Sequence, residues 1–232
     1  MGTNSEIVAT DGDRIVSTAA PAGPAFEGGA IRCGMRAADG AIEVVRLGDD
    51  VELGVIGDTE PRGLCGSGMV DAVAELARVG LLDGTGRFIP DETAAESVPA
   101  LADRLTRVGE ERVFILHRPT PVSPPEECVY LSQRDVRELQ FAKAAISTGW
   151  TLLLEELGLA HADVQQVLLA GSFGSYLSPA FAVRIGLVPK LSVLRIVSAG
   201  NVAGEGAKVS YVELSDRTDF NDRFVDQLSF PV

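Results

Sequence analysis

Two glycines, Gly171 and Gly174, bracket Ser172 and Phe173 in the stretch VLLAGSFGSYL at residues 167–177. The four residues before them, Val167 to Ala170, are apolar and β-compatible. They predict a short buried strand whose C-terminal end opens into a loop. In a parallel or mixed sheet, ligands bind in the crevice outside such strand ends. Glycine there lets the backbone approach a ligand and present its N–H groups. The same residues fit a tight strand-to-helix turn with no ligand, and a lone GxxG does not choose between the two. A second glycine cluster, PRGLCGSG, ends at Gly68 and opens a helix. Gly66 and Ser67 at that helix start are candidate anion binders, because free N–H groups and the helix dipole favour negative charge there. Cys65 beside them reads as a small packed residue, since no His or Lys lies near it in the sequence to activate the thiol. Gly2, Thr3 and Asn4 have the composition of a loop bent around a phosphate between two hairpin strands, or simply of a frayed start. A further small-residue cluster, SAGNVAGEGA, occupies residues 198–207.

These groups need elements to hold them. Strands at Glu6–Ala9 and Arg14–Ala19 flank an Asp-Gly turn, a good hairpin signal. A Gly/Pro-punctuated loop follows from Ala22, and Ala25 to Met35 predicts a short helix. Strands are expected at Ala41–Leu47 and Val51–Ile56. The helix from Ser67 to Val79 places Met69, Val70, Val73, Leu76 and Ala77 inward and Asp71 and Glu75 outward, with Gly80 as C-cap. Leu82 to Leu101 is polar and acidic, a surface loop or short helical connector. Arg112–His117 and Glu127–Leu131 form a hairpin with a proline-rich exposed tip. Ser132 caps the longest helix, which runs to Leu157 with an S-x-x-D box and ends at Gly158. Its buried stripe is Val136, Leu139, Ala142, Ile146, Trp150, Leu153 and Leu157. Lys143 interrupts the small apolar segment FAKAAI, where a snorkelling lysine is the ordinary reading. Another strand spans Leu194–Val197. The C-terminus reads as a strand and a short helix with Phe220, Phe224, Val225 and Leu228 inward.

Composition narrows the function. The chain has 232 residues, 46% hydrophobic, with a net charge of −13. That acidity argues against nucleic acid or an anionic membrane as partner, while a nucleotide can still be held by backbone amides and one or two cations. The three cysteines, Cys33, Cys65 and Cys128, are far apart and form no CxxC. An iron–sulfur cluster needs four protein ligands, so this segment is not expected to hold one. His117 and His161 lie in different elements with no Cys/His neighbours and read as ordinary histidines. No apolar run is long enough to span a membrane and no signal peptide is evident, so a cytoplasmic protein is the default expectation.

Taken in order, the clusters resemble the second lobe of the actin, sugar-kinase and heat-shock-chaperone ATPase superfamily. GTNSE resembles its second phosphate loop, VLLAGSFGSYL its adenosine motif and SAGNVAGEGA its second connecting helix. Lys143 sits where a basic residue of that superfamily lines the adenosine side. Five longer blocks are similar to reductive activators of corrinoid proteins: AGPAFEGGAIRCGMRAADGAIE, PRGLCGSGMVDAVAEL, RDVRELQFAKAAI, LLAGSFGSYLSPAFAVRIGLVP and YVELSDRTDFNDRFVDQLSFP. The resemblance implies an α/β lobe of the actin-like, ribonuclease H-like type. It would have a mixed sheet flanked by helices and an inserted α+β subdomain at about residues 28–131. It implies ATP with Mg2+ as ligand, with Gly2, Thr3, Asn4, Gly66, Ser67, Lys143, Gly171, Ser172, Phe173 and Gly174 as binding residues.

The resemblance further implies a corrinoid protein or corrinoid-dependent methyltransferase as partner, whose Co(II) corrinoid is returned to Co(I). A homodimer stays open. The family's [2Fe–2S] domain, linkers and first lobe have no counterpart in this sequence. Its catalytic residues are expected in that lobe, and the segment alone is expected to be inactive. Two other readings remain: a small-molecule kinase of the same superfamily, and a docking module that contacts a corrinoid protein through the proline-rich hairpin. The strand at 167–170 should be central in the sheet, with the glycine clusters gathered at one end. The helix begun at Asn201 is short for this superfamily, which implies either a true deletion that leaves the adenosine site partly unroofed or, the favoured reading, residues omitted near Lys208.

Overall fold

A computed structural model of the chain describes residues 4–202 and 205. The hairpin forms as read. Strands β1 (Asn4–Thr10) and β2 (Ile15–Pro21) pair antiparallel, from Asn4 opposite Pro21 to Thr10 opposite Ile15. Asp11 closes the turn, its Oδ1 accepting from the backbone N–H groups of Asp13 and Arg14. Gly12 supplies a φ of +100° that this turn needs.

The expected helix over Ala25–Met35 does not form. A single 3-10 turn at Pro24–Glu27 ends at Gly28, which is left-handed with φ 75°. The backbone then doubles back, and a side chain at Gly28 would overlap the Met35 backbone. Glycines at 28, 29 and 34 favour that reversal over a second helical turn.

Next comes a three-stranded sheet in the order β4-β3-β5, made of β3 (Ala41–Leu47), β4 (Val51–Val55) and β5 (Gly63–Leu64). Helix α1 (Gly66–Val79) follows and packs on β3, closed by left-handed Gly80. The stretch expected as polar surface is better anchored than its composition suggests. Leu82, Phe88, Ala94 and Leu101 are buried, and a short helix α2 (Asp91–Ser97) lies among them.

A second three-stranded antiparallel sheet combines β6 (Leu105–Val108), β7 (Glu111–His117) and β8 (Val129–Ser132). The β7–β8 pair is the expected hairpin, whereas β6 was not read from the sequence. Strand β8 runs directly into α3 (Gln133–Leu157). Ser132 caps it, accepting from the Asp135 N–H while the Asp135 carboxylate accepts from the Ser132 N–H. The reciprocal pair satisfies two orphan donors of the helix start. Helix α3 packs on the first hairpin through Gly149, where a Cβ would lie 2.6 Å from Ile7 Cδ1. Trp150 of the expected stripe is only half-buried, because its indole N–H reaches out to the Leu187 carbonyl at 3.2 Å.

The last described elements are β9 (Val167–Ala170), α4 (Gly171–Tyr176), α5 (Pro179–Arg184) and β10 (Ile196–Gly200). Strand β10 starts two residues later than read, after a 3-10 turn at Val193–Arg195. Among the described residues β9 pairs only with β10, in parallel, instead of sitting at the centre of a wider sheet. It is also not fully buried: Leu169 is, but Leu168 is 59% exposed. One apolar cluster still joins α1, β3, α3, β9 and the segment after α5, including Ile42, Met69, Leu139, Ile146, Leu169 and Leu187.

Candidate nucleotide site

The GSFG stretch is not a loop. Ala170 is extended, Gly171 turns with φ +89°, and α4 starts at once. A positive φ of this size is the conformation that favours glycine at the strand-to-helix corner. Phe173 points back into the fold, its ring 4.8 Å from that of Phe26. Gly66 lies against both: a Cβ there would come within 2.7 Å of the Phe173 ring and overlap the Phe26 carbonyl oxygen. The structure thus brings Gly66 and Phe173 together from stretches a hundred residues apart. Gly174 is buried against the end of β9, where a Cβ would lie 3.2 Å from the Leu169 carbonyl carbon.

The start of α1 is an interior junction. Gly66, Ser67 and Gly68 are buried, and a Cβ at Gly68 would overlap the Ile42 carbonyl oxygen. Cys65 is the packed residue its surroundings suggested. Its thiol lies 3.3 Å from the Ile42 carbonyl and 3.2 Å from the Ser67 hydroxyl.

Lys143 is half-buried on α3, and its Cε and Nζ lie 3.2 and 3.4 Å from where a Cβ of Gly186 would stand. Gly186 is the left-handed residue after α5, with the Leu187 N–H bonded back to the Ala182 carbonyl at 2.9 Å. That helix ending needs glycine, and the missing side chain leaves room for the lysine. Asn4 is exposed at the head of β1. Beside it Ser5 is buried, with its hydroxyl oxygen lacking a hydrogen-bond partner among the described residues. An orphaned buried hydroxyl is uncommon and marks a place where a ligand oxygen or a water fits. Gly2 and Thr3, residues 203, 204, 206 and 207 of the 198–207 cluster, the Lys208–Tyr211 junction and the C-terminal segment fall outside the described residues. Gathering of the glycine clusters at one end of the sheet is therefore untested.

Two charged residues expected on the solvent side of α1 are buried. The Glu75 carboxylate accepts from the Leu47 N–H at 2.9 Å and from Arg78 at 2.6 and 2.7 Å, with Arg184 at 3.4 Å. The hydrogen-bonded Arg78 holds the Glu75 carboxyl below its usual range. Asp71, one turn earlier, is pushed up to about 7 by burial, opposed by a backbone hydrogen bond at Val45. The one local hint was the i,i+3 spacing of Glu75 and Arg78.

The lobe is of the actin-like ATPase type. A family model described as the C-terminal domain of RACo, the ASKHA domain, matches residues 1–221, and the chain belongs to that family. It is 38% identical over 210 residues to the corrinoid activation enzyme RamQ of Eubacterium limosum, covering 90% of this chain and 35% of that protein. It is 27% identical over 241 residues to the [Co(II) methylated amine-specific corrinoid protein] reductase of Methanosarcina barkeri, covering 94% and 39%. Among solved structures, a reductive activator for corrinoid, iron-sulfur protein superposes with TM-score 0.76 at 33% identity, covering 90% of this chain and 32% of that one. The chain therefore spans between about a third and two fifths of the length of these relatives. The resemblance drawn from the sequence blocks is borne out, and the family suggests nucleotide binding. Among the described residues no helix is long and apolar enough to cross a membrane.

Proposed function

We propose that this chain is the nucleotide-binding lobe of an ATP-dependent reductive activator. The longer protein would deliver one electron to a Co(II) corrinoid on a partner protein, giving the Co(I) state that accepts a methyl group. The match to the RACo C-terminal family over residues 1–221 carries this reading. Several features of the chain suit ATP. Gly171 turns in a glycine conformation at the end of β9, Lys143 supplies a cation, and the buried Ser5 hydroxyl, within the GTNSE stretch, lacks a partner among the described residues. In this reading the Gly171–Gly174 backbone faces the adenosine, with Ser172 and Phe173 between. Gly2, Thr3 and Asn4 bend around phosphate, and Mg2+ arrives with the nucleotide. Gly66 packs against Phe173 from behind, with Ser67 next to it at the start of α1.

The chain's own cysteines do not suit an iron–sulfur cluster. They are three, and among the described residues no group of three Cys, His, Asp or Glu is placed to hold a metal. A [2Fe–2S] centre would belong to another part of the longer protein. No activity is expected of this lobe alone, because phosphoryl transfer needs charge stabilisation from both walls of a closed cleft.

The test is an ATP titration of the full-length protein, with and without a corrinoid protein. ATP turnover that rises with the corrinoid partner, and ATP binding lost in Gly171→Val, are the expected results. Sugar-dependent ADP release, or unchanged ATP affinity in a folded Gly171→Val, would overturn the reading.

A further inference from the structure

The strongest charge anomaly lies away from the glycine corner. In a chain of net charge −13, four arginines line one cavity of about 520 Å3 between the β6–β7 turn and the first turns of α3. They are Arg107, Arg112, Arg134 and Arg137, accompanied by Glu110 and Glu111. Each arginine pair sits where folding alone disfavours it. Arg107 and Arg112 are directly opposite one another across the antiparallel β6–β7 ladder, where like charges repel. Arg134 and Arg137 are three apart on one helix face, again a repulsive spacing. Both also lie in the first turns of α3, where the helix dipole disfavours cations.

Internal neutralisation is incomplete: Glu110, Glu111 and Asp91 stand against the four guanidiniums, and only Arg112 is directly ion-paired among the described residues. Arg112 is ion-paired with Asp91. Arg137 is spent on neutral acceptors, the Thr85 carbonyl at 2.7 Å and the Gln140 amide oxygen. Arg107 donates to the Glu110 carbonyl at 2.8 Å. The Glu111 carboxylate accepts from the Arg134 backbone N–H at 2.9 Å, leaving the exposed Arg134 guanidinium without a carboxylate partner among the described residues.

We propose that this groove docks a carboxylate-rich segment of a partner protein. Guanidinium forks match carboxylates in bidentate pairs, and an incoming acidic segment would cancel the repulsion that the free fold carries. The two glutamates favour a polypeptide over a free polyphosphate. A small polyanion must pass close to both, whereas a chain can space its acidic side chains between them. The surface is separate from the residues assigned above to ATP, so this proposal does not depend on that reading.

A labelled peptide carrying six glutamates, titrated into the full chain and followed by fluorescence anisotropy, tests it. Saturable binding is expected at 50 mM salt, at least about tenfold weaker at 200 mM, because exposed charges are screened over that range. Arg107→Gln with Arg134→Gln should weaken binding by about tenfold or more. Both sites are exposed and the changes relieve repulsion, so the melting temperature should stay level or rise. The proposal is overturned if the peptide binds no better than a six-serine control, or if the double variant binds it unchanged. It is equally overturned if tripolyphosphate occupies the groove more tightly than the peptide.

Discussion

Two strand-to-helix passages that lie wholly within the described residues carry glycine clusters, β5 into α1 and β9 into α4. At the first, Gly66 and Gly68 are sealed by backbone carbonyls of Phe26 and Ile42, and the Asp71 and Glu75 carboxyls of α1 are buried. At the second, the sheet has two strands among the described residues, Leu168 is 59% exposed and its partner Val197 40% exposed, and Gly171 holds a positive φ. The first passage is close-packed on every side and resists change in volume. The second keeps open surface around an unusual backbone conformation, which a binding corner needs and a scaffold does not. Phe173 against Phe26 and Gly66 is where the two meet.

Substitutions should separate them. The largest effect is expected from Gly68→Val, whose side chain collides with the Ile42 backbone, which cannot move aside as a side chain would. It should cost at least about 3 kcal/mol in denaturant unfolding. Gly171→Val should cost only about 1–2 kcal/mol, from backbone strain, while removing ATP binding. Equal destabilisation at both positions would break the comparison.

Glu75→Gln comes next. It leaves Arg78 and Arg184, both still partly solvated, facing an uncharged amide, with an expected loss of about 1–2 kcal/mol at pH 7. The Glu75 carboxyl is depressed in the folded state, so its contribution is present above the ordinary value of 4.5 and fades as pH falls through the folded value. Stability curves of wild type and variant should converge in acid. Curves that stay parallel down to pH 3 would mean that Glu75 contributes little as an anion.

Local signals account for what the sequence alone could say. The S-x-x-D box, the apolar stripe along its 25 residues and Gly158 define α3 within its own length, and β3 matches residue for residue. Elements that depend on distant partners were misread. Strand β6 has four residues and exists because β7 pairs with it. The run at Val167–Ala170 is apolar enough for a core strand, but its burial is decided by the number of neighbouring strands. Asp71 and Glu75 occupy ordinary outward positions of an amphipathic helix. Arg78 on its own helix, together with the distant Leu47 backbone and Arg184, 109 positions away, explains why Glu75 is inside. The site was dispersed over several stretches, and no spacing rule connects Gly66 to Phe173.

A smaller effect sharpens the scaffold side. Asp71 is raised from 3.8 to about 7, so the folded state holds a proton that the unfolded chain has released between those values. Stability should therefore fall as pH rises through that window. Asp71→Asn should be the more stable protein at pH 8, by about 1–3 kcal/mol, with the advantage gone near pH 4. A wild type whose thermal midpoint is flat from pH 4 to 8 would contradict it. The smallest effect belongs to the open passage: Leu168→Ser should change stability by no more than about 0.5 kcal/mol.

Hydrogen exchange of the full-length protein with and without ATP tests the division between scaffold and binding corner most directly. ATP should slow exchange in residues 171–176 and around Lys143, and leave residues 70–79 of α1 unchanged. Protection confined to α1, or no change anywhere at saturating ATP, would contradict the assignment of the β9–α4 corner as the nucleotide site.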